Sequence, residues 1–138
     1  MSVPGEILRV VQKRANDRCE YCLMHQSLQG ATFHVEHILP RSQGGNSTEE
    51  NLCWACPACN LHKSDRTAAL DPQGGINASL FNPRQNVWAE HFSWDGFEIV
   101  GLTDIGRSTV AALNMNHERR LHIRSAEVLF GLFPPIVK

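Results

Sequence analysis

The heptapeptide HVEHILP, residues 34–40, lies between two Cys-x-x-Cys pairs, which are Cys19 with Cys22 and Cys56 with Cys59. Each pair has the spacing of a zinc knuckle, which directs two thiolates at one tetrahedral zinc ion. Because four cysteines complete such a site, the acid and the histidines between them are free for other chemistry. The sequence therefore predicts a structural Zn²⁺ site with a second, chemically distinct site beside it.

The fifth cysteine, Cys53, leaves the choice of zinc ligands open at first, because Cys53 and Cys56 also form a Cys-x-x-Cys pair. Proline at position 57 suits the turn of a knuckle that runs from Cys56 to Cys59. Cys53 instead follows Leu52 in an apolar stretch, where a free cysteine behaves as a small buried hydrophobic residue. We therefore predict that Cys53 is a buried free thiol.

The length of 138 residues suits one domain, 1–138. We place its core at 16–70 and expect an extension, 76–138, to pack on that core. The segment DPQGG, 71–75, marks the boundary between the two parts. The N-terminus lacks the features of a secretory signal, and no run approaches the roughly 18 apolar residues of a membrane span. We expect a cytoplasmic protein without membrane contact, in which cysteines bind metal rather than form disulfides.

The net charge of −1 gives no overall basic field, which argues against a tight, sequence-reading DNA-binding protein. The same charge argues less against an enzyme that contacts only a short length of nucleic-acid backbone. Basic residues do cluster near the C-terminus, where we interpret them as a solvated helix face; they are Arg107, Arg119, Arg120 and Arg124.

The periodicity of apolar residues predicts an α+β fold. A helix is expected over 6–15, and strands over 32–38 and 52–55 should flank an exposed loop at 41–50. The second knuckle should open a helix that runs to about Thr67.

The second half of the chain contains Asp95-Gly96, a strong hairpin signal, between segments 87–94 and 97–102. Two helices should follow. The first is capped by Thr103 or Asp104, and the second by Asn116.

The order of these motifs resembles the HNH endonuclease family of the zinc-knuckle type. The shared string is Cys-x-x-Cys, His-x-Glu-His-Ile-x-Pro-x-Ser-x-Gly-Gly, Asn-Leu and Cys-x-x-Cys-Asn-x-x-Lys, and it spans residues 19–63, about a third of the chain. The resemblance implies a ββα-metal core, a divalent cation, and hydrolysis of phosphodiester bonds in nucleic acid. It favours DNA over RNA as the substrate.

The resemblance also implies roles for single residues. His37 matches the general base, Glu36 the metal-binding acid, Asn51 the residue that supports the loop and orients the base, and Asn60 the metal ligand on the helix. A histidine near its neutral form can take a proton from water, and oxygen donors from Glu and Asn suit Mg²⁺ or Mn²⁺. Aspartate is commoner than glutamate at the acid position, which leaves the preferred catalytic metal open.

Lys63 has two interpretations. It lies three residues after Asn60 and so on the same helix face, from which its ammonium group could bind the scissile phosphate. It could equally be a solvated lysine. The alternative function for the whole chain is a non-catalytic zinc-knuckle module that binds nucleic acid or protein. The oligomeric state stays open.

Overall fold

The computed structural model describes residues 3–137, and two strands and a helix lie at its centre. Strand β1 (His34–His37) pairs antiparallel with β2 (Leu52–Ala55), with Glu36 opposite Cys53 and His37 opposite Leu52. Helix α2 (Pro57–Lys63) follows β2 directly and contacts β1. The arrangement confirms the predicted α+β fold with a ββα core.

Both ends of α2 have local causes. Proline is tolerated in the first helical turn, and the Sγ atom of Cys56 accepts a hydrogen bond from the backbone N–H of Cys59. The helix stops at Lys63, because Ser64 adopts a left-handed backbone angle, φ 52°. Our prediction of a helix to about Thr67 was therefore too long by four residues.

Helix α1 (Gly5–Arg14) precedes the first knuckle, as the sequence predicts. It buries Val11 and packs against β2. The chain reverses after it through Asn16 and Asp17, which have φ values of 53° and 60°. Both residue types tolerate this region of backbone space better than other non-glycine residues.

The loop between β1 and β2 is mostly exposed, as expected, and contains short 3-10 turns at Arg41–Gln43 and Glu49–Asn51. Gly45 passes so close to the loop's start that a Cβ atom there would lie 1.7 Å from the carbonyl oxygen of Leu39. Only glycine allows this close approach without moving the backbone.

The structure contains a second hairpin that the sequence did not predict. Strands β3 (Ala68–Leu70) and β4 (Asn77–Ser79) pair antiparallel, and residues 71–76 connect them. The glycines and proline that we interpreted as a boundary therefore form the hairpin's turn. At three residues each, the strands are too short to show a clear alternation of apolar and polar side chains.

The C-terminal half contains the predicted hairpin and two helices, but some of these elements begin at residues other than those predicted. Residues 88–91 form a short helix rather than part of a strand, and His117 caps the last helix in place of Asn116. The side chain of Asn116 instead bonds to the backbone of Ile99. The elements are α3 (Trp88–His91), β5 (Phe92–Asp95), β6 (Glu98–Gly101), α4 (Asp104–Ala112, capped by Thr103) and α5 (Glu118–Leu129).

Contacts join the C-terminal half to the ββα core. The indole Nε1 of Trp88 donates to the carbonyl oxygen of Tyr21 at 2.8 Å, and the guanidinium of Arg66 donates to the carbonyl oxygen of Ala112 at 3.1 Å. The division into a core and a packed extension within one domain stays a prediction. Among residues 3–137, no helix has the length and apolar character that a membrane span needs.

Candidate active site

Four buried cysteines meet at the edge of the ββα core. The Sγ atoms of Cys19, Cys22, Cys56 and Cys59 all lie within 4.8 Å of one another, and those of Cys22 and Cys56 are 3.8 Å apart. A tetrahedral ion with Zn–S bonds of about 2.3 Å places its sulfur atoms about 3.8 Å apart. The cluster therefore has the donor atoms and the size of a zinc site, as the knuckle spacing predicts.

Arg120 on α5 reaches this cluster from the C-terminal half. Its Nη2 donates to the Sγ of Cys59 at 2.8 Å, and its Nη1 donates to the carbonyl oxygens of Leu113 and Asn114. Its side chain is buried, as is that of Arg124. The interpretation of the C-terminal arginines as a solvated face is therefore wrong for these two, because one donates to a cysteine sulfur and the other binds backbone carbonyl groups.

Glu36 belongs to β1 and is buried, with 5% of its surface exposed. Its Oε1 atom lies 2.6 Å from the Nζ of Lys63, and its Oε2 accepts hydrogen bonds from the hydroxyl of Tyr21 at 2.8 Å and the thiol of Cys53 at 3.2 Å. Both oxygens of the carboxylate thus have partners within the protein. Buried ion pairs of this kind are costly to break from one side, at about 3–5 kcal/mol.

The two uncharged partners of Glu36 stay protonated. Burial raises the pKa of the Cys53 thiol and of the Tyr21 hydroxyl, and the negative charge of Glu36 raises both further. Both groups therefore donate to Glu36 rather than compete with it as anions. Cys53 is buried and free, as predicted, but no sequence pattern indicated its contact with Glu36.

Lys63 lies in the interior, with 1% of its surface exposed. Besides Glu36, its ammonium group donates to the carbonyl oxygens of Ile38 at 3.0 Å and His37 at 3.3 Å. The interpretation as a solvated lysine is wrong. The ammonium group binds the Glu36 carboxylate and the backbone carbonyl oxygen of His37, the predicted base.

His37 is half-buried at the end of β1, facing the exposed loop. Its Nε2 lies 3.0 Å from the hydroxyl of Ser47 and accepts a hydrogen bond from the Nε of Arg41 at 3.2 Å. Because a guanidinium only donates, this contact assigns the lone pair to Nε2 and the ring proton to Nδ1. Burial lowers the pKa of His37, and the positive charge of Arg41 lowers it further. The ring is therefore neutral near pH 7.

Asn51 fastens the loop that follows His37. Its Oδ1 accepts from the backbone N–H of Leu39 at 2.8 Å, while its Nδ2 donates to the carbonyl oxygens of Leu39 at 3.0 Å and Asn46 at 2.8 Å. These bonds hold both ends of the loop segment that carries Arg41. They are the contacts that a loop-supporting role requires, and the role itself stays a prediction.

The oxygens of Glu36 and Asn60 are the donor type that a hard divalent cation prefers. Asn60 is half-buried on α2, on the same face as Lys63. Glu36 is a buried anion and requires a cation, which in this structure is the Lys63 ammonium at Oε1. Both carboxylate oxygens of Glu36 are already bonded within the protein, so a divalent cation held by Glu36 and Asn60 stays a prediction. His34, the other strand histidine, is exposed at the edge of β1.

Residues 19–66 match the family model described as HNH endonuclease, which confirms the resemblance noted in the sequence. Comparison with curated proteins and with solved structures found no match. The matched segment contains the cysteine cluster, Glu36, His37, Asn51 and Lys63, whereas Arg120 lies outside it.

Proposed function

Because residues 19–66 match the HNH endonuclease model, we propose that this chain is a metal-dependent endonuclease that hydrolyses phosphodiester bonds of nucleic acid. The observation that carries the proposal is the state of His37. Its ring is neutral, its Nε2 holds a lone pair, and that atom faces an exposed loop where a substrate can approach. A neutral imidazole in this position suits a general base.

In the proposed mechanism, His37 takes a proton from the attacking water at Nε2. The water needs a place at that atom, which now contacts Arg41 and Ser47. Arg41 is exposed, so its guanidinium can turn from Nε2 to a substrate phosphate, for which its geometry is well suited. Substrate binding then frees the base at the moment when it is needed. Ser47 keeps the ring oriented, and Asn51 holds the loop.

A divalent cation, Mg²⁺ or Mn²⁺, would be held by Glu36 and Asn60 and would stabilise charge on the phosphate and the leaving oxygen. The four-cysteine cluster would hold a structural Zn²⁺ that ties the first knuckle to the start of α2. Lys63 contacts the Glu36 carboxylate and the His37 backbone, so its role would be exerted through these two residues. Direct contact with the phosphate requires that Lys63 first leave the interior.

The competing function is a non-catalytic zinc-knuckle module that binds nucleic acid or protein. One observation favours it, namely that the Glu36 carboxylate is already neutralised by Lys63. Cleavage of labelled duplex DNA, single-stranded DNA and RNA with Mg²⁺, Mn²⁺ or EDTA separates the two functions. An endonuclease should show metal-dependent internal cleavage, with DNA as the better substrate. Binding without cleavage under every metal would support the module instead.

A further inference from the structure

We propose that the cavity between α2 and the start of α5 is a second contact for nucleic acid, in which Arg119 and His117 bind a backbone phosphate away from the scissile bond. The inference rests on the proposed function, because it takes nucleic acid as the substrate. It adds a binding surface that lies partly outside residues 19–66, the segment that the family model matches.

The cavity has the size and the lining that a phosphate group needs. Its volume is about 320 Å³, which equals the liquid volume of about ten water molecules. Basic and polar side chains from α2, α5 and the segment before α5 form most of its wall. The residues that line it are Ala58, His62, Asn114, His117, Arg119 and Arg120. No acid is among these described residues, so the wall favours an anion.

Arg119 supplies the charge of this surface. Its side chain is exposed, and among residues 3–137 no carboxylate lies within ion-pairing distance of its guanidinium. The N–H donors of a guanidinium match the geometry of phosphate oxygens. Arg119 also lies in the first turn of α5, where the helix dipole favours an acid over a base. The stability of the helix therefore gives no local reason for an arginine at this position.

His117 supplies an uncharged donor at the same end of the helix. Its Nδ1 accepts a hydrogen bond from the backbone N–H of Arg119 at 3.1 Å and so caps α5. Because Nδ1 uses its lone pair in this bond, the proton of the neutral ring is on Nε2. The cap thus leaves an N–H donor on an exposed ring next to Arg119.

One strand of nucleic acid can contact both the active site and this cavity. Two residues turn a helix by about 200°, so His62 at the cavity lies almost opposite Asn60 on α2. Leu61 lies between them and is 74% exposed, so this side of α2 is open to a ligand. A helix is about 10–12 Å across, and a strand that rises about 3.4 Å per nucleotide spans this width in several nucleotides.

The test measures DNA affinity in a His37→Ala background, by fluorescence anisotropy of a labelled duplex at several salt concentrations. In Arg119→Gln, we expect the affinity to fall about three- to tenfold, and the salt dependence of log K to lose about 0.9 of its slope, the value for one phosphate contact. Arg9→Gln is the matched control, because Arg9 is an exposed arginine on α1 outside the cavity. It changes the net charge equally and should alter neither quantity.

A second variant tests the uncharged donor. His117→Asn keeps a side chain that caps helices well and removes the ring N–H. The affinity should fall by about two- to tenfold, as expected for one hydrogen bond, whereas the slope of the salt dependence should not change because no charge is lost. Melting temperatures of all variants show whether the fold is retained.

The outcomes separate this inference from the proposed function. If the protein bound neither duplex DNA, single-stranded DNA nor RNA, the proposed function and this inference would both be overturned. If it bound and cleaved DNA, but Arg119→Gln and Arg9→Gln bound with equal affinity and equal salt dependence, this inference alone would be wrong.

Discussion

Replacing Arg120 with Leu tests whether the C-terminal half stabilises the zinc site. The change removes the hydrogen bond to the Sγ of Cys59 at 2.8 Å and those to the carbonyl oxygens of Leu113 at 2.6 Å and Asn114 at 3.0 Å. Hydrogen bonds from a charged group contribute about 1.5–3 kcal/mol each, and leucine recovers part of the loss through apolar packing. We expect the free energy of unfolding to fall by about 3 kcal/mol.

The same substitution should weaken zinc binding. Arg120 places its positive charge beside the four-cysteine cluster, and the loss of such an outer partner typically lowers metal affinity by about 10–100-fold. Urea unfolding followed by tryptophan fluorescence measures the stability, and competition with a chromogenic chelator measures the zinc affinity.

Arg119→Leu is the matched control, because Arg119 is the preceding residue of the same helix and is exposed. Its substitution should change the free energy of unfolding by less than about 0.5 kcal/mol. If the two leucine variants unfold alike and release zinc alike, Arg120 does not support the thiolates, and the reasoning from its contacts is wrong.

Three further predictions concern the base, the loop and the knuckle. The pKa of His37 lies below the ordinary histidine value. In a pH–rate profile, the cleavage rate should therefore fall on the acid side with a midpoint below pH ~6.5. Arg41→Gln removes a positive charge beside the ring and should move that midpoint upward. Asn51→Ala removes three hydrogen bonds from a partly solvated loop, so stability should fall by about 1–2 kcal/mol in urea unfolding while cleavage falls more than tenfold. Cys56→Ser should lose bound zinc and lower the melting temperature, because the binding energy of a structural zinc is folding energy.

Each of these predictions has a result that would contradict it. A midpoint above pH ~6.5 in the unsubstituted protein would show that His37 is not held neutral, or is not the titrating base. Full cleavage by Asn51→Ala would show that the loop does not position the base. A Cys56→Ser protein that keeps its zinc and melts like the parent would refute the assignment of that knuckle.

The ββα core could be predicted because its signals are local. The Cys-x-x-Cys spacing, the apolar stretch at 52–55 and the proline at position 57 each determine structure within a few residues. The position of Cys53 in the interior followed from its apolar neighbours alone.

Long-range contacts explain what the sequence did not reveal. Lys63 and Glu36 are 27 positions apart, and nothing near either residue marks them as a buried ion pair. Arg120 binds a cysteine sulfur 61 positions away, so its place in the sequence resembled an ordinary helix surface. The aromatic residues at 87–94 have high strand propensity, yet a helical turn forms there, and the Trp88 indole donates to the backbone carbonyl oxygen of Tyr21.

Plasmid nicking by the purified protein beside its His37→Ala variant tests the central claim most directly. The reaction is run with Mg²⁺, with Mn²⁺ and with EDTA, and zinc content and melting temperature are measured for both proteins. We predict metal-dependent nicking that the variant loses, although it keeps its zinc and its fold. Nicking that persists at an equal rate in His37→Ala would contradict the assignment of the base and of the active site built around it.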